Sequence, residues 1–139
     1  MPALQWLRIY DRAWLRGDVV AGITLAAYLL PSGLVYFNVD HVLRDVLQRV
    51  RVAPPGLRLV LCDLSNTPYV DLAGTRMLAR LHDELESQKV ELRLVEAHAS
   101  ERDTLRAAGL EKLVGPIHRA TTLPDALADF ERTNPPPTA

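Results

Sequence analysis

The sequence predicts an α/β domain: a sheet of about four to five mostly parallel strands, covered by amphipathic helices and preceded by an N-terminal helical segment. Three observations predict it. Leu57 to Cys62 is an almost unbroken apolar run closed by Asp63-Leu64-Ser65, the pattern of a strand buried on both faces and therefore central in its sheet. Asp71 to Gln88 sets Gly74, Met77, Leu78, Leu81 and Leu85 on one side of a helix, with Arg76, Arg80, Asp83 and Glu84 largely on the other. Val90 to Val95 alternates Val90, Leu92 and Leu94 with Glu91 and Arg93, the two-residue period of a strand. Strand, helix and strand within about forty residues make a βαβ unit, with parallel strands and a right-handed crossover.

At the N-terminus, Trp6, Tyr10 and Trp14 recur every four residues, and so do Arg8, Arg12 and Arg16, offset by two positions, which is about 200° around a helix. Aromatics opposed to arginines suit a helix lying at a membrane interface. The same spacing also suits a helix packing its aromatic stripe on the chain's own core, and both readings stand. Gly17-Asp18 offers a break and an N-cap for a second helix starting at Val19.

Residues 19–37 carry no charge, a length at the threshold for a membrane span, but Pro31-Ser32-Gly33 cuts the run. A helix from Val19 to Leu30 would extend roughly 18 Å against the roughly 30 Å of a bilayer core, so it does not span alone. Its alanine and leucine content favours that helix. The alternative is a strand from Ile23 to Leu30, turned by Pro31 to Gly33 onto Leu34 to Phe37. In either form the segment must cover apolar surface or self-associate.

Leu34 to Phe37 reads as the strand feeding a helix with Val39, Val42, Leu43, Val46, Leu47 and Val50 on one face. Beyond the βαβ unit, Ser100 with Asp103 three positions on resembles a capping box, opening a short helix that Gly109 ends. A short peripheral strand is expected between Leu113 and Arg119, limited by Gly115-Pro116. The last helix starts near Thr122, carries Pro124 in its first turn and turns Leu123, Leu127 and Phe130 inward. The division expected is an N-terminal segment over 1–33, a folded domain over 34–132 and a disordered proline-rich tail over 133–139.

Composition excludes several functions. A net charge of -1 over 139 residues offers no concentrated basic face for nucleic acid. One cysteine, Cys62, within an apolar run reads as a core thiol and not a nucleophile. The N-terminus lacks the pattern of a secretory signal. His41, His82, His98 and His118 pair with no other histidine or cysteine at metal-ligand spacing, and no phosphate loop or nucleophile elbow is present. The expectation is therefore a protein that is not an enzyme, with no catalytic residue, metal or cofactor.

One place is chemically interesting: the turn from Ser65 to Thr75, which leaves the carboxyl end of the central strand and enters a helix. Open α/β sheets put their ligands there. Asp71 is placed to cap the helix from the amides near Ala73 and Gly74, and small residues there would let a partner approach the backbone. Thr67, Asp71, Gly74 and Thr75 are the candidate residues for a protein, anion or nucleotide partner. An ordinary capped helix explains the same pattern. At the membrane interface the candidates are Trp6, Arg8, Tyr10, Arg12, Trp14 and Arg16.

The element order, with LCDLSNTPYVDLAGTRML at its centre, resembles a STAS domain, the sulfate-transporter and anti-sigma-factor-antagonist module. LVYFNVDHVLRDVLQRV is similar to the form found at the cytoplasmic C-terminus of SulP-type anion transporters. WLRIYDRAWLRGDVVAGITLAAYLLP resembles the opposite end of the same proteins, the segment leading into their first transmembrane helix. The resemblance implies a regulatory domain at the cytoplasmic face of the cell membrane. Its implied partners are the transporter's membrane domain or another protein, a second copy, a nucleotide or the membrane surface.

Three departures qualify it. Proteins of that family carry a large transmembrane body between these two ends, and here Pro31-Ser32-Gly33 joins them directly, so the chain alone is expected to transport nothing. Transporter STAS domains resemble one another in a strand ahead of the one matched by LVYF, which the junction is expected to have removed, with Ile23 to Leu30 as its replacement if that segment is a strand. Anti-sigma-factor antagonists resemble one another in a D-S-S-G-like turn with a phosphorylated serine, whereas the matching positions here are Asp71-Leu72-Ala73-Gly74. Ala73 has no hydroxyl, which disfavours a partner-switch protein and leaves Thr75 or Thr67 as substitutes. A nucleotide-sensing module is the other alternative, and an enzyme of flavodoxin-like architecture is the most remote.

Overall fold

The computed structural model describes residues 38–117 and 122–134, together with the backbone of residues 22–26. Its elements are β1 (Gly22–Ala26), α1 (Val39–Val52), β2 (Leu59–Asp63), α2 (Leu72–Ser87), β3 (Glu91–Val95), α3 (Ala99–Ala107), α4 (Glu111–Val114) and α5 (Leu123–Thr133). The strands lie in the order β1, β2, β3, and both pairings are parallel. Leu59 faces Gly22 on one side and Glu91 on the other, which makes the apolar run the middle strand, as its sequence predicts.

Alternation along β2 divides the core in two. Val60 and Cys62 join Val46 and Val50 of α1, Leu78, Leu81 and Leu85 of α2, and Leu105 of α3 in the larger cluster. Leu59 and Leu61 point the other way, with Val95 of β3, onto Ala126 and Phe130 of α5. One sheet face thus carries α1 to α4 and the opposite face carries α5. β3 keeps the same parity, with Leu92 and Leu94 buried in the larger cluster and Arg93 on the α5 side.

Local chemistry sets the helix boundaries. Pro54 biases Ala53 to extended backbone (φ -64°, ψ 150°), so α1 stops at Val52. Beyond α2 the amides of Lys89 and Val90 return to the carbonyls of Glu86 and Leu85, both at 2.9 Å. This is a Schellman closure whose left-handed residue is Lys89 (φ 61°) instead of the usual glycine. After α3, Gly109 takes that role at φ 77°, ending the helix where predicted.

Arg93 makes the polar tie between β3 and α5. Arg93 donates to Asp129 Oδ2 at 2.9 Å and to the Ala126 carbonyl at 3.2 Å, and it also pairs with Glu91. Its guanidinium carbon lies 5.6 Å from the Phe130 ring centre, and that of Arg58 lies 5.5 Å from it, both within cation–π range. Hydrogen bonds from Arg132 and Arg93 hold the Asp129 carboxyl below the ordinary carboxylate range. A carboxylate depressed in the folded state contributes its stabilisation above the unfolded-state value and loses it as pH falls through the folded one. Acidification below about pH 4 is therefore expected to loosen α5 before the sheet melts. The Phe130 ring resonances in an acid titration report this, and Asp129→Asn removes that part of the pH dependence.

Three expectations change. Gly22–Ala26 is a strand, not part of a helix over 19–30, because a parallel ladder with β2 outweighs a helix propensity of a few tenths of a kcal/mol per residue. The strand alternative paired Ile23 to Leu30 with Leu34 to Phe37; the partner of Gly22–Ala26 among the described residues is β2, and Leu34 to Phe37 lie outside them. Ser100 and Asp103 form no capping box: His98 is the N-cap of α3, and Ser100 Oγ donates to Glu101 Oε1 at 2.8 Å. Leu113 and Val114 are helical and do not begin a strand. Both backbone groups of Ile117 are held by side chains: its amide by Glu111 Oε1 at 2.9 Å and its carbonyl by Arg106 at 2.6 Å. Side chains thus supply the bonds a neighbouring strand would have made. The sheet has three strands among the described residues, and Leu34 to Phe37 and residues 118–121 lie outside them.

Candidate functional site

The turn between β2 and α2 is built from both ends. At the strand end, Asp63 Oδ1 accepts from the Ser65 amide at 2.8 Å, and the Thr67 amide donates to the Leu64 carbonyl at 3.0 Å, folding the chain back over the end of the sheet. At the helix end, Asp71 is the N-cap in extended backbone (φ -90°, ψ -179°), and its carboxylate accepts from the Gly74 amide at 2.7 Å. Its carbonyl accepts from the Thr75 amide and from Thr75 Oγ1, both at 2.9 Å. Asp71, Gly74 and Thr75 are therefore one hydrogen-bonded unit. Thr67 lies upstream in the same turn and is not bonded to them.

Asp71→Ala is expected to lower the unfolding free energy by about 1 kcal/mol, the usual value of a side-chain cap, while Asp71→Asn retains most of it. Urea denaturation followed by circular dichroism measures both.

Burial separates what a partner can touch from what it cannot. Thr67 is 1% exposed and Thr75 3%, so neither hydroxyl is reachable in the folded chain, and Thr67 Oγ1 has no hydrogen-bond partner among the described residues. Gly74 is buried as well. The accessible face of the turn is Asn66, Pro68, Tyr69 and Leu72, of which Tyr69 and Leu72 are large apolar side chains exposed to 59% and 58%. Exposure of two such groups beside each other is the signal the residue pattern lacked. The Asp71 carboxylate also occupies the helix terminus itself, putting negative charge where an incoming anion would seek a free amide.

A distant residue completes the site. His98, the N-cap of α3, brings Nε2 to 3.0 Å from the Ser65 carbonyl and ties the α3 entrance to the turn. Thirty-three positions separate the two residues, so no local pattern announces the contact. Cys62, buried in β2 just ahead of the turn, is not a nucleophile: burial, and secondarily the Asp63 carboxylate, push its thiol up to about 12. Trp6, Arg8, Tyr10, Arg12, Trp14 and Arg16 lie outside the described residues. Among the described residues no helix is long and apolar enough to cross a membrane.

Comparison with known proteins gives this arrangement a family. The sequence profile of the STAS domain matches residues 20–126. Two proteins described as probable sulfate transporters, from two strains of Mycobacterium tuberculosis, are 53% identical over 38 residues, which is 27% of this chain and 7% of theirs. The chain thus spans a small fraction of the length of the curated relatives it matches. Among solved structures, the murine Solute Carrier 26 family member A9 anion transporter in its inward-facing state superposes with a TM-score of 0.63 at 22% identity, over 74% of this chain and 17% of the transporter. A sulfate transporter family protein from Wolinella succinogenes gives 0.60 at 19% identity, over 73% of this chain and 80% of that one. At these identities the superpositions speak for the fold, and the profile match speaks for the family: the chain belongs to the STAS domain family.

Proposed function

We propose that this chain is a non-catalytic regulatory module of a SulP-type anion transporter, working at the cytoplasmic face of the membrane by docking on the transporter's membrane domain and conducting no anion itself. The observation that carries the reading is the profile match over residues 20–126, joined to a turn that offers a partner surface and no reactive group. Tyr69 and Leu72 are the contact we assign to the partner, with Asp71, Gly74 and Thr75 holding them in place. A partner-switch role has less support, because Ala73 carries no hydroxyl and Thr67 and Thr75 are sealed from a kinase. Nucleotide sensing has less as well, since the Asp71 carboxylate already takes the Gly74 amide.

The test is capture in detergent by the membrane domain of a SulP-type transporter whose own STAS domain has been deleted. The wild-type chain is expected to be retained, and the double variant Tyr69→Ala, Leu72→Ala to be released while its circular dichroism stays unchanged. Equal retention of both would overturn the assigned surface. Anion uptake by proteoliposomes containing only this chain would overturn the non-transporting role.

A further inference from the structure

Apart from the Asp71 cap, the charges of α2 run against its own dipole. Its first turn has no acidic residue and its last turn no basic one. Arg76 and Arg80 sit in the N-terminal half, whereas Asp83, Glu84 and Glu86 crowd the C-terminal half, where the backbone carbonyls already make the potential negative. In that half His82, Asp83 and Glu86 bring one ligand atom each within 4.8 Å of one another. His82 and Glu86 are four positions apart and so share a helix face, while Asp83 Oδ1 stands 3.2 Å from His82 Nδ1. The imidazole side chain is only 14% exposed against 73% for Asp83, so packing holds the nitrogen ligand, and a cation on Nδ1 would replace its contact with the Asp83 carboxylate. Leu81 and Leu85, at 2% and 0% exposure, anchor the helix beneath them. His82 and Glu86 also line a cavity of about 380 Å³ shared with Lys89, Leu92 and Leu113.

We infer that His82, Asp83 and Glu86 form a binding site for a divalent transition cation of the zinc class. One imidazole nitrogen and two carboxylate oxygens are the donor set that such ions accept at about 2.0–2.2 Å, with the remaining positions open to water or a partner's side chain. With the three ligand atoms within 4.8 Å of one another, binding requires the two exposed carboxylates to turn towards a common centre. Magnesium and calcium, which take all-oxygen shells, gain little from the imidazole. A cation here also offsets the carboxylates stacked against the carbonyl end of α2. Lys89, on the rim of the same cavity, opposes binding by its positive charge.

The test is a titration of the full, isotope-labelled chain with zinc chloride, followed by amide and histidine-ring shifts and by the thermal midpoint. A saturable one-to-one response centred on residues 82–86 is expected, with a rise in midpoint as binding favours the native state and no comparable response to magnesium or calcium. His82→Ala and Glu86→Gln should each abolish the response, and His41→Ala should leave it intact. Glu86→Gln, on an exposed side chain, serves even if His82→Ala perturbs the fold. A response centred on His41, His98, His118 or Cys62, one that survives both variants, or one that never saturates overturns the site.

Discussion

Replacing Phe130 by alanine is expected to lower the unfolding free energy by about 3–5 kcal/mol, the range for truncating a buried aromatic. The ring is 2% exposed and fills the space over Leu59, Leu61 and Val95. Two guanidinium groups lie against it, at 5.5 and 5.6 Å from its centre. Removing it opens a cavity and leaves Arg58 and Arg93 without the apolar surface on which they rest. Of the described α5 residues only Ala126 and Phe130 are fully buried, so the loss falls on one helix. Hydrogen exchange is expected to show α5 amides losing protection first, while α2 and β3 keep theirs. Phe130→Leu, which keeps most of the volume, should recover most of the stability.

Leu78→Ala strikes the opposite face and is expected to cost about 2–5 kcal/mol. Leu78 has no exposed surface and sits with Val60, Leu81 and Leu85 in the larger cluster, where α1, α2 and α3 surround it and cannot all collapse inward. Here the loss is global, because this cluster joins the helices to the sheet. Leu72→Ala, at the start of the same helix but 58% exposed, is the control and should stay within about 0.5 kcal/mol of wild type. Chemical denaturation with a shared slope distinguishes the two outcomes, and a Leu72→Ala chain as unstable as Leu78→Ala would show that the turn is a core element.

The middle of the chain was legible because its periods are strong. Leu57 to Cys62, the Gly74 to Leu85 stripe and the Val90 to Leu94 alternation each correspond to the element observed, and the spacing of Asp71 from Gly74 announced the cap. β1 was not legible, since Gly22-Ile23-Thr24-Leu25-Ala26 lies in an apolar run that has no period to separate strand from helix. What decides it is a ladder with residues 59–63, which no local window contains. The same limit applies to the site. Thr67 and Thr75 read as accessible hydroxyls until the fold buries them, and the His98 contact to Ser65 exists only once α3 lies beside the turn. At Leu113 the competing factor was a pair of side chains, Arg106 and Glu111, that secured Ile117 without a strand.

The parallel register also constrains how this chain comes together. Gly22 must find Leu59, and Leu59 must find Glu91, so each pairing closes a loop of roughly thirty or more residues before any ladder bond offsets the lost entropy. Such topology folds more slowly than a helical bundle of similar size. On the ribosome, the middle strand stays open along one edge until Val95 has emerged, leaving its unpaired N–H and C=O groups exposed to other nascent chains for that interval.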